Sequence, residues 1–61
     1  MHTIEIIDGL MCVMDEDGNG YDAAVLTGLR AATRQIQTWT NEYTIDVADA
    51  NRQLHNYFSQ R

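Results

Sequence analysis

The chain has 61 residues, with nine acidic side chains, four arginines and no lysine, and a formal net charge of -5. This length excludes two domains, and the longest apolar run is far below the ~20 residues of a membrane span. A single cysteine excludes an internal disulfide, and the acidic balance disfavours direct binding to nucleic acid. Because no basic, apolar leader is present either, we expect one small domain in the cytoplasm.

The negative charge is concentrated in the first third of the chain. Residues 1–22 contain six acidic side chains and no arginine, whereas residues 23–61 contain three acidic side chains and all four arginines. Carboxylates clustered on one part of a surface attract cationic partners over long range. The first third is therefore where we expect a protein with a basic surface to bind.

Residues 2–14 have the composition of two strands joined at Asp8-Gly9. Asp-Gly favours the two-residue type I′ turn, in which both central residues have positive φ. The resulting register places Ile4 opposite Val13. A short helix is the alternative for this segment, and its glycine and β-branched residues disfavour it.

Both faces of this predicted β-hairpin are largely apolar. One face carries Ile4, Ile6, Met11 and Val13, and the other carries Glu5, Ile7, Leu10, Cys12 and Met14. Because exposed apolar surface is unfavourable, we expect helix to cover one face and a second copy of the chain to cover part of the other.

Two amphipathic helices are predicted after an acidic, glycine-rich loop at residues 15–21. Helix 1 spans residues 22–43, with apolar residues at spacings of 4-3-4-3-4. Its stripe consists of Val25, Leu29, Ala32, Ile36, Trp39 and Tyr43. Helix 2 spans residues 45–60, with Thr44 as its N-cap. Its stripe consists of Val47, Ala50, Leu54, Tyr57 and Phe58. The predicted fold is α+β, a β-hairpin followed by a helical hairpin, and one continuous helix is the alternative to the break near residue 43.

A chain of this size rarely gains more than ~3–5 kcal/mol from its own core, which favours association with a second copy. A small-residue series through Ala24, Gly28 and Ala32 would allow two first helices to approach closely. The predicted homodimer interface consists of Ala24, Val25, Gly28, Leu29, Ala32, Ile36 and Trp39. The alternative for Gly28 is a tolerated surface glycine.

The acidic loop resembles the first half of an EF-hand calcium loop. Asp15, Asp17 and Asn19 would be side-chain ligands, followed by the start of a helix. The twelfth position, which requires a bidentate glutamate, is Leu26. The resemblance implies a weak calcium site at best, and the alternative is an acidic surface turn.

No residue set for catalysis or cofactor binding is present in the sequence. Cys12, His2 and His55 have no metal-ligand spacing. Cys12 lies in a predicted strand, where it is expected to act as a small apolar side chain. Arg30 and Arg34 share one helix face, where they either contact an anion or pair with acids of the same fold. We therefore expect a protein that is not an enzyme and has no cofactor.

The sequence predicts a non-catalytic, homodimeric protein–protein interaction module. A sharper form is a small acidic inhibitor or decoy, of the kind found in viruses and mobile elements, that binds the basic surface of a nucleic-acid-handling protein. Its partner-binding acids would be Asp15, Glu16, Asp17 and Asp22. The alternatives are a solvated loop that keeps the protein soluble, a weak calcium-binding loop protein, and a DNA-binding regulator that resembles the ribbon-helix-helix type in element order.

Overall fold

The computed structural model describes residues 1–60 and shows a small single domain with a three-stranded antiparallel sheet followed by two helices. The elements are β1 (Thr3–Ile7), β2 (Leu10–Met14), β3 (Gly20–Val25), α1 (Leu29–Trp39) and α2 (Val47–Ser59). The strand order is β1-β2-β3, so β2 is the central strand. This architecture is compatible with the predicted α+β class.

The N-terminal hairpin is confirmed, including its turn and its register. Asp8 and Gly9 have φ values of 51° and 78°, as a type I′ turn requires. Ile4 lies opposite Val13, and Ile7 lies opposite Leu10. The Asp-Gly dipeptide therefore fixes which side chains share each face of the sheet.

Residues 20–25 form a strand, so the prediction that helix 1 begins at Asp22 is wrong. β3 pairs with β2, with Ala24 opposite Met11 and a register shift at Tyr21. The physical reason is that the second edge of β2 carries backbone groups that need partners, and a strand satisfies them. Over so short a segment, apolar spacing does not separate a strand from the first turns of a helix.

A break between the two helices is confirmed and the continuous helix is wrong, but helix 1 ends at Trp39 and not at the predicted residue 43. α1 ends at Trp39 and α2 begins at Val47. The N-cap of α2 is Asp46 instead of the predicted Thr44, and its carboxylate accepts a hydrogen bond from the Asp49 N–H at 3.1 Å. Both candidate caps have a side-chain oxygen, which the sequence pattern does not distinguish.

The helices cover one face of the sheet and form the core with it. The buried side chains are Ile4, Met11, Val13, Ala32, Ile36, Trp39, Ile45, Ala50 and Leu54. The opposite face, called the outer face below, carries one row of exposed apolar side chains across the three strands. This row consists of Ile7, Leu10 and Val25. One face of the hairpin is thus covered by helix, as predicted.

The segment between the helices is fastened to the start of β1. The His2 N–H donates to the Thr44 carbonyl at 2.7 Å, and the Asp46 N–H donates to the His2 carbonyl at 3.3 Å. These bonds form a parallel bridge between His2 and Ile45, which is buried. The apolar stripes of the sequence do not include Ile45, because it lies outside both helices.

We expect Leu54→Ala to cost about 2–5 kcal/mol of unfolding free energy, because the side chain is fully buried and the change leaves a cavity. That loss is comparable to the whole stability of a domain of this size. The matched control is Val47→Ala on the same helix, where the side chain is 39% exposed. Urea unfolding followed by circular dichroism measures both, and equal losses would contradict this packing.

Candidate functional site

Asp15 organises the acidic loop that joins β2 to β3. One carboxylate oxygen accepts hydrogen bonds from the backbone N–H groups of Asp17 and Asn19, both at 2.9 Å. The other oxygen accepts from the Asn19 side-chain amide at 3.2 Å and from the Tyr21 hydroxyl at 2.8 Å. Both carboxylate oxygens of Asp15 thus accept hydrogen bonds from within the loop.

The loop backbone closes around the same residue. The Asp15 N–H donates to the Asn19 carbonyl at 3.0 Å, and the Gly18 N–H donates to the Asp15 carbonyl at 3.2 Å. Gly18 has a φ of 86°, which a residue with a Cβ rarely adopts. Aspartate, glycine and asparagine therefore serve here as turn residues that reverse the chain between two strands.

The hydrogen bonds change the ionisation of Asp15 and Tyr21. The Tyr21 hydroxyl, followed by the Asn19 N–H, lowers the pKa of Asp15 from 3.8 to about 2, because both stabilise the carboxylate. The same hydrogen bond raises the pKa of Tyr21, and the negative charge of Asp15 adds to the effect. At neutral pH the pair consists of a carboxylate and a neutral phenol.

The four acids predicted to bind a partner divide into two kinds. Asp15 is used inside the loop, and the Asp22 carboxylate accepts a hydrogen bond from the Ala23 N–H at 2.9 Å. Glu16 and Asp17 are exposed at the tip of the loop. Within residues 1–60, neither of these two carboxylates takes part in a hydrogen bond or salt bridge. These two are the acids available for contact with another molecule.

An aromatic cluster that the sequence analysis missed lies beside the loop. The ring centroids of His2 and Tyr21 are 4.8 Å apart, and those of His2 and Tyr43 are 5.2 Å apart. Burial raises the pKa of Tyr43, and the charges of Asp22 and Glu42 add to the shift. The three rings come from three separate segments, so no spacing in the sequence signals the cluster.

His2 is held in this cluster by packing more than by side-chain hydrogen bonds. Its Nδ1 is buried and has no hydrogen-bond partner within residues 1–60. Its backbone, by contrast, makes both bonds of the bridge to the segment between the helices. The cluster therefore joins the base of the acidic loop to that segment.

Two features of the loop disfavour calcium binding. The loop is followed by β3, whereas an EF-hand requires a helix at that point. In addition, both oxygens of Asp15 already accept hydrogen bonds from Asn19 and its neighbours. Among residues 1–60, no three His, Cys, Asp or Glu side chains lie together in a way that could hold a metal ion.

The residues predicted to form a dimer interface along helix 1 do not lie on one helix. Ala24 and Val25 lie in β3, and Gly28 is the extended residue before α1. A Cβ on Gly28 would meet nothing within 4 Å, which fits the surface-glycine alternative. The other residues of the predicted interface pack inside this single chain. Ala32, Ile36 and Trp39 are buried in its core, and Leu29 packs against that core. The stripe is thus used inside the chain.

The remaining candidate side chains are dispersed. Arg30 and Arg34 are exposed on α1, and the salt bridge found among residues 1–60 joins Arg52 to Asp49. Cys12 is half-buried on the outer face, and His55 is exposed on α2. These positions do not bring a nucleophile, a base and an anion contact to one place.

An open cleft lies at the other end of the sheet from the acidic loop. It has a volume of about 480 Å³ between the β1–β2 turn and the end of α2. Its lining consists of Ile6, Asp8, Gly9, Gln53, Asn56, Tyr57 and Gln60. The Gln53 amide is already bound to the Ile4 carbonyl at 2.7 Å, so it supports the fold.

A scan against protein-family models and searches of curated proteins and of solved structures gave no match for this chain. Neither of the helices described in residues 1–60 has the length and apolar character that crossing a bilayer requires.

We expect Tyr21→Phe to raise the pKa of Asp15 from about 2 toward 3.8, because it removes the hydroxyl that contributes most to the shift. Since the folded-state pKa lies below the unfolded value, ionised Asp15 stabilises the fold above pH 3.8, and this contribution disappears as the pH falls through about 2. Carboxyl NMR titration of both proteins measures the change. An unchanged pKa would show that the Tyr21 hydroxyl does not set it.

Millimolar calcium is expected to leave the Tm and the loop amide spectrum unchanged, because Asp15 has no free oxygen and no helix follows the loop. Magnesium at the same ionic strength is the control. Saturable shifts of the Asp17 and Asn19 amides with calcium alone would show that the loop rearranges into a metal site.

Proposed function

We propose that this protein is a non-catalytic interaction module of the cytoplasm that self-associates and presents its acidic loop to a protein with a basic surface. In the sharper form of this proposal it is an inhibitor or decoy that occupies the basic surface of a nucleic-acid-handling protein. Small acidic proteins of viruses and mobile elements provide the analogy, which concerns the class and not this chain.

The observation that carries the proposal is the position of Glu16 and Asp17. Both carboxylates are exposed at the tip of a loop whose shape Asp15 and Gly18 hold fixed. A partner that contacts a preorganised loop loses less conformational entropy than one that must order it. The four arginines begin at Arg30, and the first 29 residues contain no lysine or arginine.

The DNA-binding alternative rests on the order strand, helix, helix in β3, α1 and α2. In a ribbon-helix-helix arrangement the strand would read base edges. β3 has Asp22 and no lysine or arginine, and contact with phosphates requires cations. Charge therefore favours the basic protein partner over DNA.

We expect the double change Glu16→Gln and Asp17→Asn to weaken binding of an oligoarginine peptide a few-fold, since each exposed ion pair is worth about 0.2–1 kcal/mol. Asp15 is left unchanged, because its substitution would alter the loop. The matched control is Glu5→Gln with Glu42→Gln, which removes the same charge from other exposed positions. Isothermal titration calorimetry at several salt concentrations measures the affinities.

Equal weakening by the two double variants would show that net charge, and not the loop, attracts the peptide. Duplex DNA in place of the peptide tests the alternative. DNA binding at physiological salt that survives the loop changes would favour the regulator over the decoy.

A further inference from the structure

The two edge strands of the sheet differ in how far the rest of the chain covers their free backbone groups. The β1 edge is covered over its first half, where His2 pairs with Ile45 and the Gln53 side chain donates to the Ile4 carbonyl. The β3 edge has no such cover from residues 1–60. An uncovered edge strand is a template on which another strand can add.

The backbone groups of Ala23 and Val25 are the ones that β3 presents at its free edge. Residues of an antiparallel strand alternate between bonding to the neighbouring strand and pointing away from it. The Ala23 N–H bonds to the Asp22 carboxylate, so it points away from β2, and Val25 has the same orientation. β3 has no lysine or proline, the residues that commonly protect an edge. Two features of this strand can protect the edge, the Asp22 carboxylate and the register shift at Tyr21.

The outer face continues to this edge. Val25, at 69%, is the most exposed large apolar side chain within residues 1–60, and it ends the row that runs through Leu10 to Ile7. A strand added beside β3 would extend the row and cover Val25. Hydrogen bonding at the edge and apolar contact on the outer face thus favour the same event.

We propose that β3 of a second copy adds antiparallel to β3 of the first, and that the Asp22 carboxylate opposes this pairing by holding the Ala23 N–H. The inference rests on the self-association in the proposed function and names its site. With Ala24 at the two-fold axis, Ala23 of one copy exchanges backbone hydrogen bonds with Val25 of the other. The exchange requires the Ala23 N–H to leave Asp22.

Charge permits a second copy as the occupant despite the net charge of -5. In this register the two Asp22 residues lie four residues apart along the paired strands, or ~13 Å at ~3.3 Å per residue. That separation exceeds the screening length of ~8 Å at physiological ionic strength. Asp22 is the one acid in β3, so the pairing opposes no two like charges directly.

The size of the interface predicts a weak dimer. A stable interface buries roughly 800 Å² on each partner. That area would be about a fifth of the 4139 Å² surface of this chain. A six-residue strand edge, ~20 Å long, covers less. We therefore expect an equilibrium between monomer and dimer that depends on protein concentration.

Sedimentation equilibrium over a concentration series tests the role of Asp22. We expect Asp22→Ala to tighten the dimer roughly tenfold for each hydrogen bond that no longer needs to be broken. Glu16→Ala is the control, because it removes the same charge from the loop tip without touching the edge. Equal tightening by the two variants would overturn the role of Asp22.

A second pair of variants tests the edge itself. Val25→Lys should abolish the dimer, since a lysine at an edge opposes strand pairing, whereas Ile7→Lys, in the same row but on β1, should leave it. Circular dichroism checks that both variants fold. Loss of the dimer in both would assign it to the outer face and overturn edge pairing.

Monomers at every concentration, in the unchanged protein and in Asp22→Ala alike, would overturn this inference as a whole. That result leaves the acidic-loop proposal standing, because oligoarginine binding is measured on the monomer as well. Conversely, if the dimer responds as expected to Asp22→Ala and Val25→Lys, edge pairing is supported even when the oligoarginine peptide does not bind.

Discussion

The pairing of β2 on both sides is the constraint on which the rest of the structure depends. Its inward side chains, Met11 and Val13, are among the most deeply buried in the domain, and both neighbouring strands align on it. Because β3 must return antiparallel after a short loop, Asp15 and Gly18 are needed to turn the chain. The two helices then have the apolar face of a finished sheet to cover.

The acidic loop separates two roles that its composition does not distinguish. One carboxylate, Asp15, stabilises the turn and is charged at nearly every accessible pH because its pKa is about 2. Glu16 and Asp17 make no such contribution and lie at the surface. Asp15 thus stabilises the shape of the loop, while Glu16 and Asp17 are exposed on it. The charge and the rigidity of the loop come from the same short segment.

The sequence predicts those parts of the fold that local chemistry determines. Asp8-Gly9 sets the hairpin, and the helical stripe through Ile36 identifies α1 as a helix whose apolar side joins the core. β3 was not predictable in this way, because Tyr21 to Val25 satisfies both periods over a short span. The aromatic cluster and the buried Ile45 depend on contacts between distant segments, which periodicity does not report. At the site, the acids were identified, and their division into internal and exposed groups was not.

The bridge between His2 and Ile45 has a consequence for the order in which the chain folds. It joins residues 2 and 45, whereas each β-turn joins near neighbours. Closing the longer loop costs about 2 kcal/mol more entropy than closing a five-residue loop. We therefore expect the β1–β2 and β2–β3 pairs to form early and α2 to dock through this bridge late. Slow steps in refolding would then involve the helical half of the chain.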